Sequence, residues 1–287
     1  MANDTILLAN RPVARMGFGA MQLPGPGVLG PPKDRDQALA VVRRCIELGV
    51  NHIDTAQFYG PDVANELLYE ALFPYPDDLV LVSKVGAARN AAGQWLPAQT
   101  PEALRAGVEA NLASLHVDQL AVVNLRRHGE AEVSLDQQLV AMSEMVDEGL
   151  ISAIGLSNVD LADYERTRAQ VDIACVQNPY NLIDRSGQDV FDACGRDGVP
   201  YVPFFPLGSA FNERNPVLGA RAVTEVARRR QASPAQIALA WLLSRGPNVL
   251  VIAGTSSLAH LEENMAAADL VLDEEDLAAL DQAVPLA

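Results

Sequence analysis

Leu79-Val80-Leu81-Val82-Ser83-Lys84-Val85 is the stretch on which the fold turns. A run this short and this apolar reads as a strand buried on both faces, as strands of parallel sheets are. Other short apolar runs end near Ile53-Asp54, Val122-Asn124, Ile154-Ser157, Val176-Asn178, Val202-Phe205 and Leu250-Ala253. Helix-like segments lie between most of them: 36–48, 101–115, 135–148, 187–196 and 234–244. Strands that alternate with helices argue for βα units around a parallel sheet. A first strand near Met16-Gly17-Phe18 brings the count to eight. The prediction is an α/β fold, a single (β/α)8 TIM barrel spanning residues 1–287 as one domain. A doubly wound sheet is disfavoured because no G-x-G-x-x-G turn follows a strand.

Two regions break the period. Residues 24–32 form a Pro- and Gly-rich loop after the first strand, and residues 212–231 add a helical segment after the seventh. Both follow strands and so belong to the C-terminal face of a barrel, where this fold places its chemistry. The tail 273–287 reads as a closing helix, with the acidic first turn Asp273-Glu274-Glu275-Asp276 suited to a helix N-terminus.

A net charge of −16 argues against a nucleic-acid or anionic-membrane surface. No uninterrupted apolar stretch reaches the ~18 residues of a membrane span. The N-terminus has no basic segment followed by an apolar one, so no secretory signal is read. Cys45, Cys175 and Cys194 lack metal or redox spacing and read as buried free thiols of a cytoplasmic protein. No metal site is expected.

An ammonium at the end of a buried strand needs a partner. Lys84 is one of two lysines in the chain, and Asp54 ends another apolar run, in His52-Ile53-Asp54-Thr55-Ala56-Gln57-Phe58-Tyr59-Gly60. Tyr59 stands in the loop leaving that strand. A cation beside a phenol makes it a better proton donor, and a carboxylate holds the cation in place. The same residues are also consistent with an ion pair that ties two strands together, with Tyr59 a loop anchor. Taken alone, the trio leaves both readings open.

Asp54-Thr55-Ala56-x-x-Tyr59-Gly60 followed by Ser83-Lys84-Val85 resembles the signature of the aldo-keto reductases, which reduce carbonyls with a nicotinamide cofactor on a (β/α)8 barrel. The likeness runs from Gly17-Phe18-Gly19-Ala20-Met21 to Glu263-Asn264, and the motifs keep the family's order. It implies that Tyr59 is the general acid, that Lys84 tunes it and that Asp54 orients Lys84. The family's fourth catalytic member is usually a His ending the fourth strand. The matching stretch Leu120-Ala121-Val122-Val123-Asn124-Leu125-Arg126-Arg127 puts Asn124 there. An amide can donate to a carbonyl oxygen but cannot shuttle a proton. His128, four residues on, is read as a surface residue or as a substitute that reaches the site.

The resemblance also distributes the cofactor contacts. Ala20 and Met21 follow the first strand, and Ser157, Asn158 and Gln177 take the nicotinamide carboxamide. Phe204-Phe205-Pro206-Leu207-Gly208 bears the aromatic that stacks on the nicotinamide, a role alignment gives to Phe204 although Phe205 competes for it. Gly254, Thr255, Ser256 and His260 lie at the adenosine phosphate, and Glu263 with Asn264 at adenine. A glycine turn opening a helix offers backbone N–H groups to phosphate. The resemblance implies NADPH, and because the Lys or Arg often used for a 2′-phosphate is missing, NADH is left open as a second cofactor. Arg221, Arg228, Arg229 and Arg230 are substitutes for that cation or simply a solvated helix surface.

Gly19-Ala20-Met21-Gln22-Leu23, Asn124 and Pro203-Phe204-Phe205-Pro206 look most like bacterial members associated with pyridoxal reduction. Phe58 and Trp95, the latter in the loop after Lys84, would wall a flat aldehyde. The implied partner is therefore a small-molecule aldehyde or ketone. One alternative is a non-catalytic NADP(H)-binding barrel acting as a sensor or subunit, which Asn124 keeps open. Another is an aldolase using Lys84 as a Schiff-base amine, against which Asp54 counts.

Overall fold

The computed structural model describes residues 5–90, 92–208 and 215–283. In chain order these form β1 (Thr5–Leu8), β2 (Arg11–Ala14), β3 (Met16–Gly19), α1 (Arg35–Glu47), β4 (His52–Asp54), α2 (Val63–Leu72), β5 (Val80–Arg89), β6 (Trp95–Ala98), α3 (Pro101–Leu115), β7 (Val122–Arg126) and α4 (Leu135–Asp147). There follow β8 (Ile154–Ser157), α5 (Leu161–Arg168), β9 (Ile173–Gln177), α6 (Gln188–Asp197), α7 (Arg221–Arg230), α8 (Pro234–Ser244), β10 (Val251–Ile252), α9 (Leu258–Ala266) and α10 (Glu274–Asp281).

Helix starts follow the local chemistry. Thr100 caps α3 ahead of Pro101, and Ser134 and Ser233 form capping boxes with Gln137 and Gln236 at α4 and α8. Asp273 caps the acidic first turn of α10. The start of the expected segment 212–231 and the chain's first four and last four residues lie outside the described residues.

A curled parallel sheet runs in the order β10-β3-β4-β5-β7-β8-β9, with the helices on its outside. This α/β, TIM-barrel-type architecture has seven regular parallel strands where eight were counted. The expected strand 202–205 is reduced to isolated bridges: Tyr201 pairs with Val176 and with Val249, and Phe204 with Pro179. The reason is local, since Pro200, Pro203 and Pro206 remove ladder donors throughout that segment.

Two strands outrun their expected ends. β5 continues to Arg89 and pairs antiparallel with β6, so Trp95 belongs to a strand and not to a loop. β7 continues past Asn124 to Arg126, with consequences for the site.

Alternation along the strands sorts the interior. Val80, Val82, Val122, Cys175, Val202, Leu250 and Ile252 form an apolar cluster joined by Leu8 and Val13 from the β1–β2 hairpin. The larger core lies between sheet and helices. Positions of the same parity nearer the strand ends are polar: Asp54, Lys84, Asn124 and Gln177, all buried. All three cysteines are free and buried. Among the described residues, no helix is long and apolar enough to cross a membrane.

Candidate active site

A cavity of about 470 Å³ opens where the strands end. Asp54, Lys84 and Tyr59 all line it, although they come from β4, β5 and the loop after β4. The parallel register β4–β5, with Asp54 opposite Val82, lets the longer Lys84 side chain reach back to the carboxylate. Lys84 Nζ donates to Asp54 Oδ1 and, at 3.0 Å, to the Thr55 carbonyl. It lies 5.1 Å from the centroid of the Tyr59 ring.

Burial alone disfavours the ammonium, but the Asp54 charge and Tyr59 beside it more than offset this and raise the Lys84 pKa above its ordinary value. Asp54 is held from both sides, because Gln177 Nε2 donates to its other oxygen at 2.8 Å. Behind the pair runs a buried amide and hydroxyl chain. Thr55 donates to Asn65, Asn65 and Ser83 donate to Asn111 Oδ1, and Asn111 Nδ2 reaches the Lys84 carbonyl at 3.4 Å. It ties β4 and β5 to α2 and α3, and its scattered positions give no motif that a linear reading would detect.

Asn124 does not reach the cavity. It is fully buried, opposite Gly155 on β8, and its Oδ1 accepts from Cys175 Sγ at 3.3 Å. Gly155 makes the room, since a Cβ there would lie 2.1 Å from Asn124 Oδ1. The residue that β7 delivers to the cavity is Arg126, two positions on and on the same face. Arg126 is level with Ser157, which in turn is level with Gln177. Gly86, at φ +102°, lets β5 pass so close that a Cβ would meet the Arg126 carbonyl at 2.2 Å. The apolar run ends at Asn124, two residues before the strand itself ends at Arg126.

Arg126 donates to Ser157 Oγ at 3.0 Å, and its guanidinium carbon lies 5.0 Å from the Phe204 ring centroid. Burial lowers its pKa, partly offset by Tyr59 and Asp54. His128 also lines the cavity, its ring 6.4 Å from that of Trp95. Its pKa is lowered by burial and then by the Arg126 charge. Phe58 stands edge-on to both Tyr59 and Trp95 at 5.4 Å, so the cavity has an aromatic wall.

Of the expected cofactor residues, Met21, Gln177, Phe204, Phe205, Pro206, Leu207, Gly208, Gly254, Thr255 and Ser256 line the cavity. Asn215 pins the 205–208 turn by donating to the Leu207 carbonyl at 2.6 Å. The ends of β3 and β10 touch at Gly19 and Gly254, where a Cβ on Gly254 would lie 2.3 Å from the Gly19 carbonyl. Ala20 and Ser157 are buried behind the cavity lining, and Asn158 is exposed with its amide donating to the Arg127 carbonyl at 2.8 Å. His260, Glu263 and Asn264 lie along α9, beyond the lining.

The fit to a nicotinamide rests on Gln177. Its Oε1 is buried with no hydrogen-bond partner among the described residues, an acceptor suited to a carboxamide N–H. Three of the four substitute arginines are engaged elsewhere: Arg221 pairs with Glu225, Arg229 with Glu275 and Asp276, and Arg230 with Asp273 and Asp276.

A buried Asp–Lys pair beneath a Tyr, set at strand ends of a TIM-barrel-type sheet, is the arrangement of a carbonyl reductase. The profile of the Aldo/keto reductase family matches residues 15–285, and the chain belongs to that family as an NAD(P)H-dependent enzyme. It is 49% identical over 286 residues to pyridoxine 4-dehydrogenase of Escherichia coli K12, covering 98% of each chain. It is 32% identical to an E. coli methylglyoxal reductase, covering 88% of this chain and 86% of that one. An aldo-keto reductase from Klebsiella pneumoniae, solved in complex with NADPH, superposes with a TM-score of 0.84 at 29% identity, covering 99% of this chain and 97% of that one.

Proposed function

We propose that this chain reduces a flat aromatic aldehyde with NADPH, pyridoxal to pyridoxine being the reaction its likeness to the E. coli enzyme nominates. The observation that carries the proposal is the position of Tyr59 over the Lys84–Asp54–Gln177 chain, beside the aromatic wall of Phe58 and Trp95. We read the whole chain as one cytoplasmic domain, its sheet completed to an eight-stranded barrel through the bridges of Tyr201.

The substrate carbonyl lies against the Tyr59 hydroxyl. NADPH, when bound, supplies the hydride that forms the new C–H bond. The C=O π pair moves to oxygen, and Tyr59 gives that oxygen its phenolic proton. Lys84 stabilises the phenolate left behind, and Asp54 keeps Lys84 charged and aimed. Gln177 holds Asp54 with its amide and leaves Oε1 for the carboxamide. Phe204 and Phe205 would hold the nicotinamide, and Gly254–Ser256 with the N-terminus of α9 would hold the adenosine phosphates. Arg126 takes the place at the cavity expected of Asn124, a cationic donor in place of a neutral amide donor, and His128 lines the same cavity.

The test is NADPH consumption by the purified chain, with pyridoxal and with benzaldehyde. Turnover of either supports a reductase. Tight NADPH binding with no turnover of any aldehyde would favour the sensor or subunit reading instead.

A further inference from the structure

Arg126 is more than a replacement for a histidine. Among the described residues no carboxylate lies within ion-pair distance of its guanidinium, in a chain where most arginines have one. Its environment is a serine hydroxyl on one side and the face of Phe204 on another. Arg126 lines the same cavity as Tyr59. A half-buried cation with no acid partner favours an anion, and a planar fork favours two adjacent oxygens over one.

We propose that Arg126 is a specificity determinant for aromatic aldehydes that carry an ionised hydroxyl next to the carbonyl. This rests on the reductase reading above and names the substrate class of that site. Tyr59 approaches the carbonyl oxygen from the β4 side and Arg126 from the end of β7, with β5 between them. A ring held against Phe58 and Trp95, its carbonyl on Tyr59, presents an ortho oxygen toward the guanidinium. The same fork then spans the phenolate and the oxygen that gains charge during reduction. Pyridoxal, with its 3-hydroxyl beside the 4-aldehyde, belongs to this class.

The experiment compares kcat/KM for 2-hydroxybenzaldehyde, 4-hydroxybenzaldehyde and benzaldehyde in the native enzyme, Arg126→Met and Arg126→Lys. NADPH affinity is measured in each by fluorescence quenching. The native enzyme should favour the 2-hydroxy compound over the 4-hydroxy isomer by roughly 10-fold or more, the size of one charge-assisted hydrogen bond. Arg126→Met should bring that ratio to about one, and Arg126→Lys should restore part of it, since a point charge replaces the fork. A native ratio near one, or an unchanged ratio in Arg126→Met, overturns the proposal. Loss of NADPH affinity in Arg126→Met with the ratio kept would also overturn it, placing the arginine on the cofactor. No turnover of any of the three aldehydes by the native enzyme would refute the reductase reading itself.

Discussion

Gln177 donates to Asp54 across the interior, from the end of β9 to the end of β4, at 2.8 Å. The carboxylate that fixes Lys84 is thereby fixed in turn by a residue that lines the cavity and whose buried Oε1 has no partner among the described residues. Lys84, Asp54 and Gln177, the first two proposed for catalysis and the third for the cofactor, thus share one hydrogen-bonded chain.

Breaking that chain at its centre should cost stability as well as rate. Asp54→Asn leaves a buried ammonium uncompensated, and about 3–5 kcal/mol is the usual cost of such an orphan. Urea denaturation of Asp54→Asn should show a loss of that order, alongside a fall in turnover. A variant as stable as the native chain would mean that Lys84 gives up its proton instead.

Asn124 and Arg126 can be separated by rate. Asn124→Ala removes a buried amide whose Nδ2 has no partner among the described residues, and kcat should change by less than about 10-fold. Arg126→Met removes the guanidinium proposed to face the reacting oxygen, and kcat/KM should fall by roughly 10²–10³-fold. The reverse order would return the fourth role to Asn124.

His52 sets an acid limit on stability. Burial, together with the Lys84 charge, outweighs Asp54 and lowers its pKa from 6.5 to about 4. Between these values the unfolded chain binds a proton that the folded chain refuses, so stability falls as pH drops from 6.5 to 4. The contribution is on the order of 3 kcal/mol at ~1.4 kcal/mol per pH unit. Urea midpoints of the native protein and His52→Asn should therefore diverge between pH 7 and pH 4.5, the native protein losing more. Parallel curves would place the acid sensitivity elsewhere.

Cofactor choice should be modest. No Lys or Arg borders the Gly254–Ser256 end of the cavity among the described residues, and Arg229 and Arg230 are held by α10. NADPH should exceed NADH in kcat/KM by less than the ~10²–10³ that about 3–4 kcal/mol of charge-assisted bonds provides. A larger ratio would reveal a cation folding onto Ser256 in the complex.

Much of this site is legible in the sequence because its parts are local. The apolar runs ending at Asp54 and Lys84 stop where the strands meet the cavity, and Tyr59 follows Asp54 in one short loop. What escaped depends on register between strands. A sequence does not show that β7 carries two further residues, or that Gly86 and Gly155 hollow the space that lets Arg126 rise and Asn124 sink. The proline-broken segment around Tyr201 looks like a strand in hydrophobicity and fails to be one for lack of N–H groups.

The central claim is that Tyr59 delivers the proton. Tyr59→Phe keeps the ring and its contact with Phe58 and removes only the hydroxyl. Stopped-flow NADPH oxidation with excess aldehyde should slow by roughly 10²-fold or more, with NADPH binding retained. A Tyr59→Phe enzyme that reduces the aldehyde at the native rate would contradict the account.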